Sequence, residues 1–180
     1  MTTSEPIVFD TGPLTHFARA HWLGPLKAVV EGHPVLIPDV VVEELKEGAR
    51  RDSRIQAVLD ADWIEHRELR TAEEVAAYQQ FEELLVYRNR NRGEAGALAL
   101  ASTAGGITVI DDGAGRRAAK KHGIENKPTL RLLCEAIRSG LLTVPLVSAL
   151  ADDLIISNYR LPFVLGGFES WAQENGLMDA

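Results

Sequence analysis

The amino-acid sequence predicts an α/β protein of three layers, α/β/α, in which helices cover both faces of a parallel central sheet. Short apolar runs alternate with longer segments of helical periodicity along the chain, which is typical of a doubly wound sheet. Several of these runs lead directly into acidic residues, at the edge where open α/β sheets keep their functional sites. The chain has 180 residues, 46% of them hydrophobic, and this is enough to bury one sizeable core.

The strands are predicted from short apolar runs bounded by turn residues. The first run ends in Asp10, and Pro13 follows where the first turn of a helix tolerates proline. The second run, Val35 to Pro38, is continuous and apolar, as expected for a buried parallel strand. The predicted strands cover residues 6–10, 35–38, 62–67 (an edge strand) and 107–111, with a weak last strand near Ile124.

The segments between the strands are predicted helices. Asp39 is a plausible N-cap for a helix that carries Glu43 and Glu44. Thr71 and Glu74 form a capping-box pattern. Further helices are predicted from Pro13, from Gly24 to Val30, from Gly93 to Gly105, from Arg116 to Lys121, from Thr129 onward and around Phe168 and Trp171. We expect one domain over residues 1–180, with a core at about 6–135 and a C-terminal helical extension at about 136–180 that could form a dimer contact or a substrate wall.

Composition excludes several classes of protein. The net charge of −7 argues against binding nucleic acid by bulk charge alone, although a local basic rim is compatible with it. Cys134 is the only cysteine, so no internal disulfide can form. The apolar runs are too short for a membrane span, and residues 1–5 lack the features of a signal peptide. We therefore expect a cytoplasmic protein without membrane contact.

Acidic residues occur at four places that a parallel sheet would bring to one edge. They are Asp10, the pair Glu43-Glu44, Glu94 after Arg92-Gly93, and the pair Asp111-Asp112. Carboxylate oxygens without thiolates or clustered imidazoles favour Mg²⁺ or Mn²⁺ over Zn²⁺. The five histidines include no helical His-x-x-x-His pair. The sequence therefore predicts a magnesium or manganese site.

The segments around these acids resemble the four acidic motifs of the PIN domain family, which includes the VapC-like toxin ribonucleases. The motifs are Asp10-Thr11-Gly12-Pro13-Leu14, Ile37-Pro38-x-x-Val41-x-x-Glu44-Leu45, Gly93-Glu94-Ala95-x-Ala97 and Val109-Ile110-Asp111-Asp112. They occur in the family's order over residues 6–135. The resemblance implies a metal-dependent endoribonuclease that acts as the toxin of a type II toxin-antitoxin pair. It also implies RNA as substrate, a cognate antitoxin as partner and a homodimer.

The resemblance implies Asp10, Glu44, Glu94 and Asp111 as catalytic metal ligands. Glu44, and not Glu43, precedes the leucine as the family's second acid does, and side chains about 100° apart on a helix cannot both face one site. Asp10 as a helix N-cap and the glutamates as favourable helix-start charges are the structural alternatives.

Two candidates compete for the last acidic position. Asp111 is favoured as the ligand, and Asp112 could bind a second metal or an outer-shell water. Adjacent carboxylates repel each other unless a cation or hydrogen bonds offset the repulsion. A turn at Asp112-Gly113 is the alternative role of the second aspartate.

Basic residues flank the predicted site on both sides. Arg88, Arg90 and Arg92 precede Glu94, and a second set follows the aspartates: Arg116, Arg117, Lys120 and Lys121. Such residues would position a phosphate backbone without reading its sequence. The alternative is a solvated basic face or internal ion pairs. Thr11, Arg92 and Arg116 are the residues we expect to contact substrate.

Two other functions remain open at this point. A non-catalytic PIN-like nucleic-acid-binding or regulatory module would be expected to have lost one or more of the acids, but all four are present. A phosphotransferase with an Asp-x-Asp nucleophile motif needs a second aspartate two residues after Asp10, where this chain has Gly12.

Overall fold

The structure is a computed structural model, and it describes residues 4–178. Its centre is a parallel four-stranded sheet in the order β3-β2-β1-β4. The strands are β1 (Ile7–Phe9), β2 (Val35–Pro38), β3 (Ile64–Arg67) and β4 (Ile107–Val109). The chain builds outward from β1 to β3 and then crosses to the other side of β1 for β4, so the topological switch point lies between β1 and β4.

Ten α-helices surround this sheet between residues 4 and 178. They are α1 (Thr11–Arg19), α2 (Leu23–Val29), α3 (Asp39–Arg51), α4 (Gln56–Leu59), α5 (Ala72–Leu85), α6 (Arg92–Ala104), α7 (Gly113–Lys121), α8 (Thr129–Arg138), α9 (Val144–Ile156) and α10 (Phe168–Glu174). In the described part of the chain none of them is long and apolar enough to cross a membrane.

Alternate side chains of β1 face the two apolar layers. Phe9 belongs to the layer formed with α1, α2, α8, α9 and α10. Val8 belongs to the opposite layer, which α5, α6 and α7 cover. This alternation follows from the two-residue period of a strand. The predicted α/β/α architecture with a parallel sheet is confirmed.

The C-terminal helices pack against the same core as α1. Val147, Leu150 and Leu154 of α9 and Phe168 of α10 are fully buried in the layer that contains Phe9. The chain beyond residue 136 therefore completes one face of the sheet.

Small residues let α6 lie close to α3. A Cβ atom added at Gly96 would overlap Val40 Cγ2 and would lie 3.1 Å from Pro38 Cγ. Only glycine fits there, because any Cβ would occupy space that the valine methyl already fills. The close packing brings the first turn of α6 beside the second turn of α3, and these turns carry Glu94 and Glu44.

The capping box that opens α5 is confirmed. The Thr71 hydroxyl accepts from the Glu74 amide at 3.1 Å, and the Glu74 carboxylate accepts from the Thr71 amide at 2.9 Å. The prediction of Asp39 as an N-cap is wrong. Pro38 occupies that position because its extended backbone ends β2, and Asp39 is the first helical residue.

The predicted strand near Ile124 is also wrong, since the chain there makes only an isolated parallel bridge between Thr108 and Asn126. The Asn126 side chain replaces further pairing by donating to the Ile110 carbonyl and accepting from its amide, both at 3.0 Å. Pro128 follows two residues later and has no amide hydrogen to extend a ladder. Residues 53–59, which form a 3₁₀ turn and α4, were not predicted as helical.

Candidate metal centre

The acidic residues meet at the carboxyl edge of the sheet, beside the switch point. Asp10 directly follows β1, and Asp111 lies two residues beyond the neighbouring strand β4. Glu44 comes from α3 and Glu94 from the first turn of α6. The four predicted ligands therefore come from four different elements that converge on one edge.

Gly93 is the point around which three of the oxygen-bearing side chains gather. Its amide donates to Glu44 Oε1 at 3.1 Å, and the Thr11 hydroxyl donates to Glu44 Oε2. A Cβ atom at position 93 would lie 2.6 Å from Glu44 Oε2 and 2.7 Å from both Asp10 Oδ1 and Thr11 Oγ1. The absence of a side chain at Gly93 is thus a condition for the approach of Asp10 to Glu44.

Glu94 is a buried carboxylate that lacks a partner among the described residues. Its side chain is 7% exposed, and within residues 4–178 Oε2 accepts no hydrogen bond. Burial raises the pKa of Glu94 to about 8, and the charges of Asp10, Asp112 and Glu44 add to the rise. A nearby positive charge would favour the ionised form of such a buried carboxylate.

Asp10 lies in a similar environment. Burial raises its pKa to about 7, the charges of Glu44 and Asp111 contribute, and the amide groups of Thr11 and Gly12 oppose part of the rise. Asp10 occupies the N-cap position of α1, yet its side chain forms no capping hydrogen bond in the described structure. The amides at the start of α1 therefore face the carboxylate, but they do not form the capping hydrogen bond that the alternative role as a helix cap requires.

Asp111 is held by residues that the sequence did not single out. Its Oδ1 accepts from the Thr129 amide at 2.7 Å, and its Oδ2 accepts from the Thr129 hydroxyl at 2.6 Å and from the Tyr159 hydroxyl. Burial raises the pKa of Asp111, whereas the hydrogen bonds from Thr129 and the charge of Arg116 lower it. His16 stacks on the Tyr159 ring with centroids 4.3 Å apart.

Asp112 has a different environment from Asp111. It is less buried, and its Oδ1 accepts from the Ala114 amide at 2.7 Å, so it caps the N-terminus of α7. This contact corresponds to the turn-forming alternative for the Asp-Gly pair. Its charge still reaches the centre, because it contributes to the raised pKa of Glu94.

The two adjacent glutamates of α3 separate as the helix geometry predicts. Glu44 faces Thr11 and Gly93, whereas Glu43 is 64% exposed and lies 3.6 Å from Arg92. Arg92 is therefore engaged in an ion pair at the rim. Arg116 is exposed and lines a groove that also includes Asp111.

A hard divalent cation fits the chemistry of this cluster. All candidate donors are carboxylate or hydroxyl oxygens, one buried oxygen of Glu94 is without a partner among residues 4–178, and the carboxylates raise one another's pKa values. Within residues 4–178 no three or more such side chains already stand in a coordination geometry. The residues thus fit a cation by charge and ligand type. Cation binding would require their carboxylate oxygens to move closer together.

Comparison with known proteins decides the family. The family model for DUF3368, described as a PIN domain, matches residues 6–165. This protein belongs to the PIN domain family. Members of this family are generally nucleases and typically use divalent metals. The match extends beyond the motifs, through α8 and α9 to the segment that contains Tyr159.

The solved structures that match this PIN domain include one determined with bound DNA. It is the crystal structure of VapBC2 from Rickettsia felis bound to a DNA fragment from its promoter, with 14% identity and a TM-score of 0.49. The aligned region covers 68% of this chain and 97% of that one. A comparison with curated proteins found no matching sequence.

Proposed function

We propose that this PIN domain protein is a cytoplasmic endoribonuclease that hydrolyses RNA phosphodiester bonds with Mg²⁺ or Mn²⁺, as the toxin of a type II toxin-antitoxin pair. The observation that carries this proposal is the convergence of Asp10, Glu44, Glu94 and Asp111 at one sheet edge, where burial and mutual repulsion raise the pKa values of Asp10 and Glu94. A bound cation would supply an activated water and offset charge on the phosphoryl oxygens.

The protein's own residues would prepare this site before a cation arrives. Asp10, Glu44, Glu94 and Asp111 would hold the cation. Thr11 and the Gly93 amide orient Glu44. Thr129 and Tyr159 orient Asp111, so that the rotation of its carboxylate is restricted. Asp112 remains a candidate for a second cation or an outer water, although it also caps α7.

The proposed substrate contacts lie at the rim of the acidic centre and are mainly basic residues. Arg116 is exposed beside Asp111 and is a phosphate contact in this proposal. Thr11 and Arg92 were also predicted as substrate contacts, and the structure engages both in protein contacts, with Glu44 and Glu43 respectively. Either residue would have to break its present contact before it could bind substrate.

RNA as substrate, an antitoxin partner and a homodimer are inferred from the resemblance to VapC-like toxins. The first two are tested by expressing the protein alone and with the product of a small neighbouring gene. We expect growth arrest that the second protein relieves, together with cleavage of total RNA in arrested cells. Full growth at high expression of the folded protein would contradict the toxin role. The protein would then be a nuclease with another role in the cell.

A test of the helix-face assignment compares Glu44→Gln with its neighbour Glu43→Gln. Glu44→Gln is expected to reduce the cleavage rate by about a hundredfold or more, equivalent to about 3 kcal/mol, because it removes a charge at the centre. Glu43→Gln should change the rate less than about threefold, since this side chain is exposed and its only ion pair among the described residues is with Arg92. Equal losses in single-turnover cleavage of labelled RNA would contradict the assignment.

The raised pKa values predict how stability depends on pH without a cation. The pKa values of Asp10 and Glu94 rise from 3.8 and 4.5 to about 7 and about 8. At these two carboxyl groups the folded state therefore keeps protons that the unfolded chain releases, and their contribution to stability falls as the pH rises from about 4 to about 8. The free energy of unfolding falls by about 1.4 kcal/mol per pH unit for each group that is protonated only in the folded state.

Urea unfolding in excess chelator at pH 5 and pH 8 measures this effect. The wild type is expected to be less stable at pH 8, and the double variant Asp10→Asn, Glu94→Gln is expected to lose much less between the two values. Mn²⁺ should stabilise the wild type more at pH 8 than at pH 5, because cations bind deprotonated carboxylates. The same pH dependence in both proteins would show that these two groups are not the cause.

A non-catalytic nucleic-acid-binding module is the second candidate. It shares the basic rim with a nuclease but does not require cation binding by the acidic residues. Binding of RNA without turnover, together with no Mn²⁺ affinity in titration calorimetry, would favour it over the nuclease.

A further inference from the structure

Beside the acidic centre lies a groove of about 690 Å³, most of whose lining has no role in the proposed hydrolysis. We name it the α8 groove, and its walls come from the starts of α7 and α8 and from the C-terminal segment. We infer that the α8 groove binds a nucleotide of the substrate strand next to the phosphodiester that is cleaved. This inference deepens the proposed function and rests on it for the identity of the strand. The lining residues used below are Arg116, Leu130, Arg131, Arg160, Leu161 and Trp171.

The α8 groove adjoins the acidic centre. A cleft of about 440 Å³ contains Asp10, Glu94 and Asp111, and it shares Asp111, Tyr159 and Arg160 with the groove. The Tyr159 hydroxyl bonds to Asp111, so the tyrosine stands at the junction of the two spaces. A strand whose phosphate lies at the acidic residues would thus place a neighbouring nucleotide in the groove.

The charge of the α8 groove is opposite to that of the whole chain. Three arginines and one carboxylate line it, in a protein with a net charge of −7. Arg131 forms an ion pair with Glu135 at 3.0 Å, whereas Arg116 and Arg160 form none with any residue between 4 and 178. Two guanidinium groups that form no ion pair among residues 4–178 suit a polyanion, which they would attract through its phosphates.

The remaining lining is apolar and includes an aromatic ring. Leu130 and Leu161 contribute to it together with Trp171, and Phe163 packs against that indole with ring centroids 5.4 Å apart. Proteins that bind single strands combine a basic groove with aromatic side chains on which bases stack, and each stacked base contributes about 1–3 kcal/mol. The α8 groove combines both features, and its volume lies within the range of small-ligand pockets.

An acidic peptide would also match the arginines. It would not use the aromatic lining, because its carboxylate side chains offer no flat ring to stack on the Trp171 indole. A nucleic-acid strand that bridges a cation-loaded cleft and the arginines accounts for both spaces. We therefore assign the groove to the RNA strand.

Tryptophan fluorescence tests this assignment without requiring cleavage. In excess EDTA, the protein is titrated with a single-stranded RNA tetranucleotide bearing a 5′-phosphate. We expect saturable quenching that is lost in Trp171→Phe, because Trp22 and Trp63 lie outside the groove. Arg160→Gln should raise the Kd at least fivefold. Arg50→Gln, a control at an exposed arginine of α3, should leave the Kd unchanged.

The outcomes distinguish a failure of the groove assignment from a failure of the proposed nuclease function. Quenching with these variant effects supports the groove, whether or not the wild type cleaves RNA with Mn²⁺, and absence of cleavage would count against the proposed function alone. Cleavage by a wild type that shows no Trp171-dependent quenching would overturn the groove assignment alone. Equal Kd values for Arg160→Gln and Arg50→Gln, or tighter binding of an acidic tetrapeptide than of the RNA, would also overturn it.

Discussion

Asp10→Asn is expected to reduce metal-dependent RNA cleavage by at least about a thousandfold, which corresponds to about 4 kcal/mol of transition-state stabilisation. Asparagine keeps the shape of the side chain at the end of β1 but removes the charge that a cation would bind. The same substitution should not destabilise the cation-free protein at pH 8. Burial raises the pKa of Asp10 to about 7, so the ionised carboxylate is unfavourable there and the neutral amide avoids that cost.

Single-turnover cleavage of a labelled mixed RNA measures the first effect, with Mg²⁺, Mn²⁺ or excess chelator. Asp62→Asn is a matched control, because Asp62 is 89% exposed and contacts only Lys27 among the described residues. The control should cleave like the wild type. Intact metal-dependent cleavage by a pure Asp10→Asn preparation would remove Asp10 from the ligand set.

Gly93→Ala is expected to abolish cation binding at the centre and to destabilise the protein by about 1–3 kcal/mol. The new Cβ would lie 2.6–2.7 Å from oxygens of Asp10, Thr11 and Glu44. These oxygens belong to side chains from different elements, so relief of the clash must rotate the side chains or move the first turn of α6. Either movement changes the spacing of the carboxylates and weakens the Gly93–Glu44 hydrogen bond.

Mn²⁺ titration calorimetry and urea unfolding together test this expectation. Gly24→Ala is the control substitution, because Gly24 lies in α2 and a Cβ there would meet no described atom within 4 Å. It should leave Mn²⁺ affinity unchanged, while stability falls slightly, because Pro25 disfavours the helical conformation at a preceding residue that carries a Cβ. Unchanged Mn²⁺ affinity in Gly93→Ala would contradict the place of Gly93 at the centre.

Most of the secondary structure could be predicted from local patterns. The apolar runs of β1 and β2 and the capping box of α5 depend on side chains a few residues apart, and such interactions form in the same way wherever the segment lies. The misplaced cap at Asp39 shows the limit of that approach. The end of the preceding strand, and not the preference of the side chain, decided which residue took the cap position.

The sequence by itself determined which residues carry negative charge and that they follow strands or begin helices. Parallel strands share one carboxyl edge, so Asp10 and Asp111 had to lie near each other once β1 and β4 were neighbours. The spacing of Glu43 and Glu44 on a helix likewise allowed only one of them to face inward.

Only the tertiary structure decided how Asp111 is held and what lies beside it. Tyr159 is 48 residues from Asp111 in the chain and reaches it because the C-terminal helices pack on the face of the sheet that contains Phe9. No local pattern records such a contact, since it depends on how whole layers pack against each other. The environments of Asp112 at α7 and of the arginines around the α8 groove depend on the same packing, for the same reason.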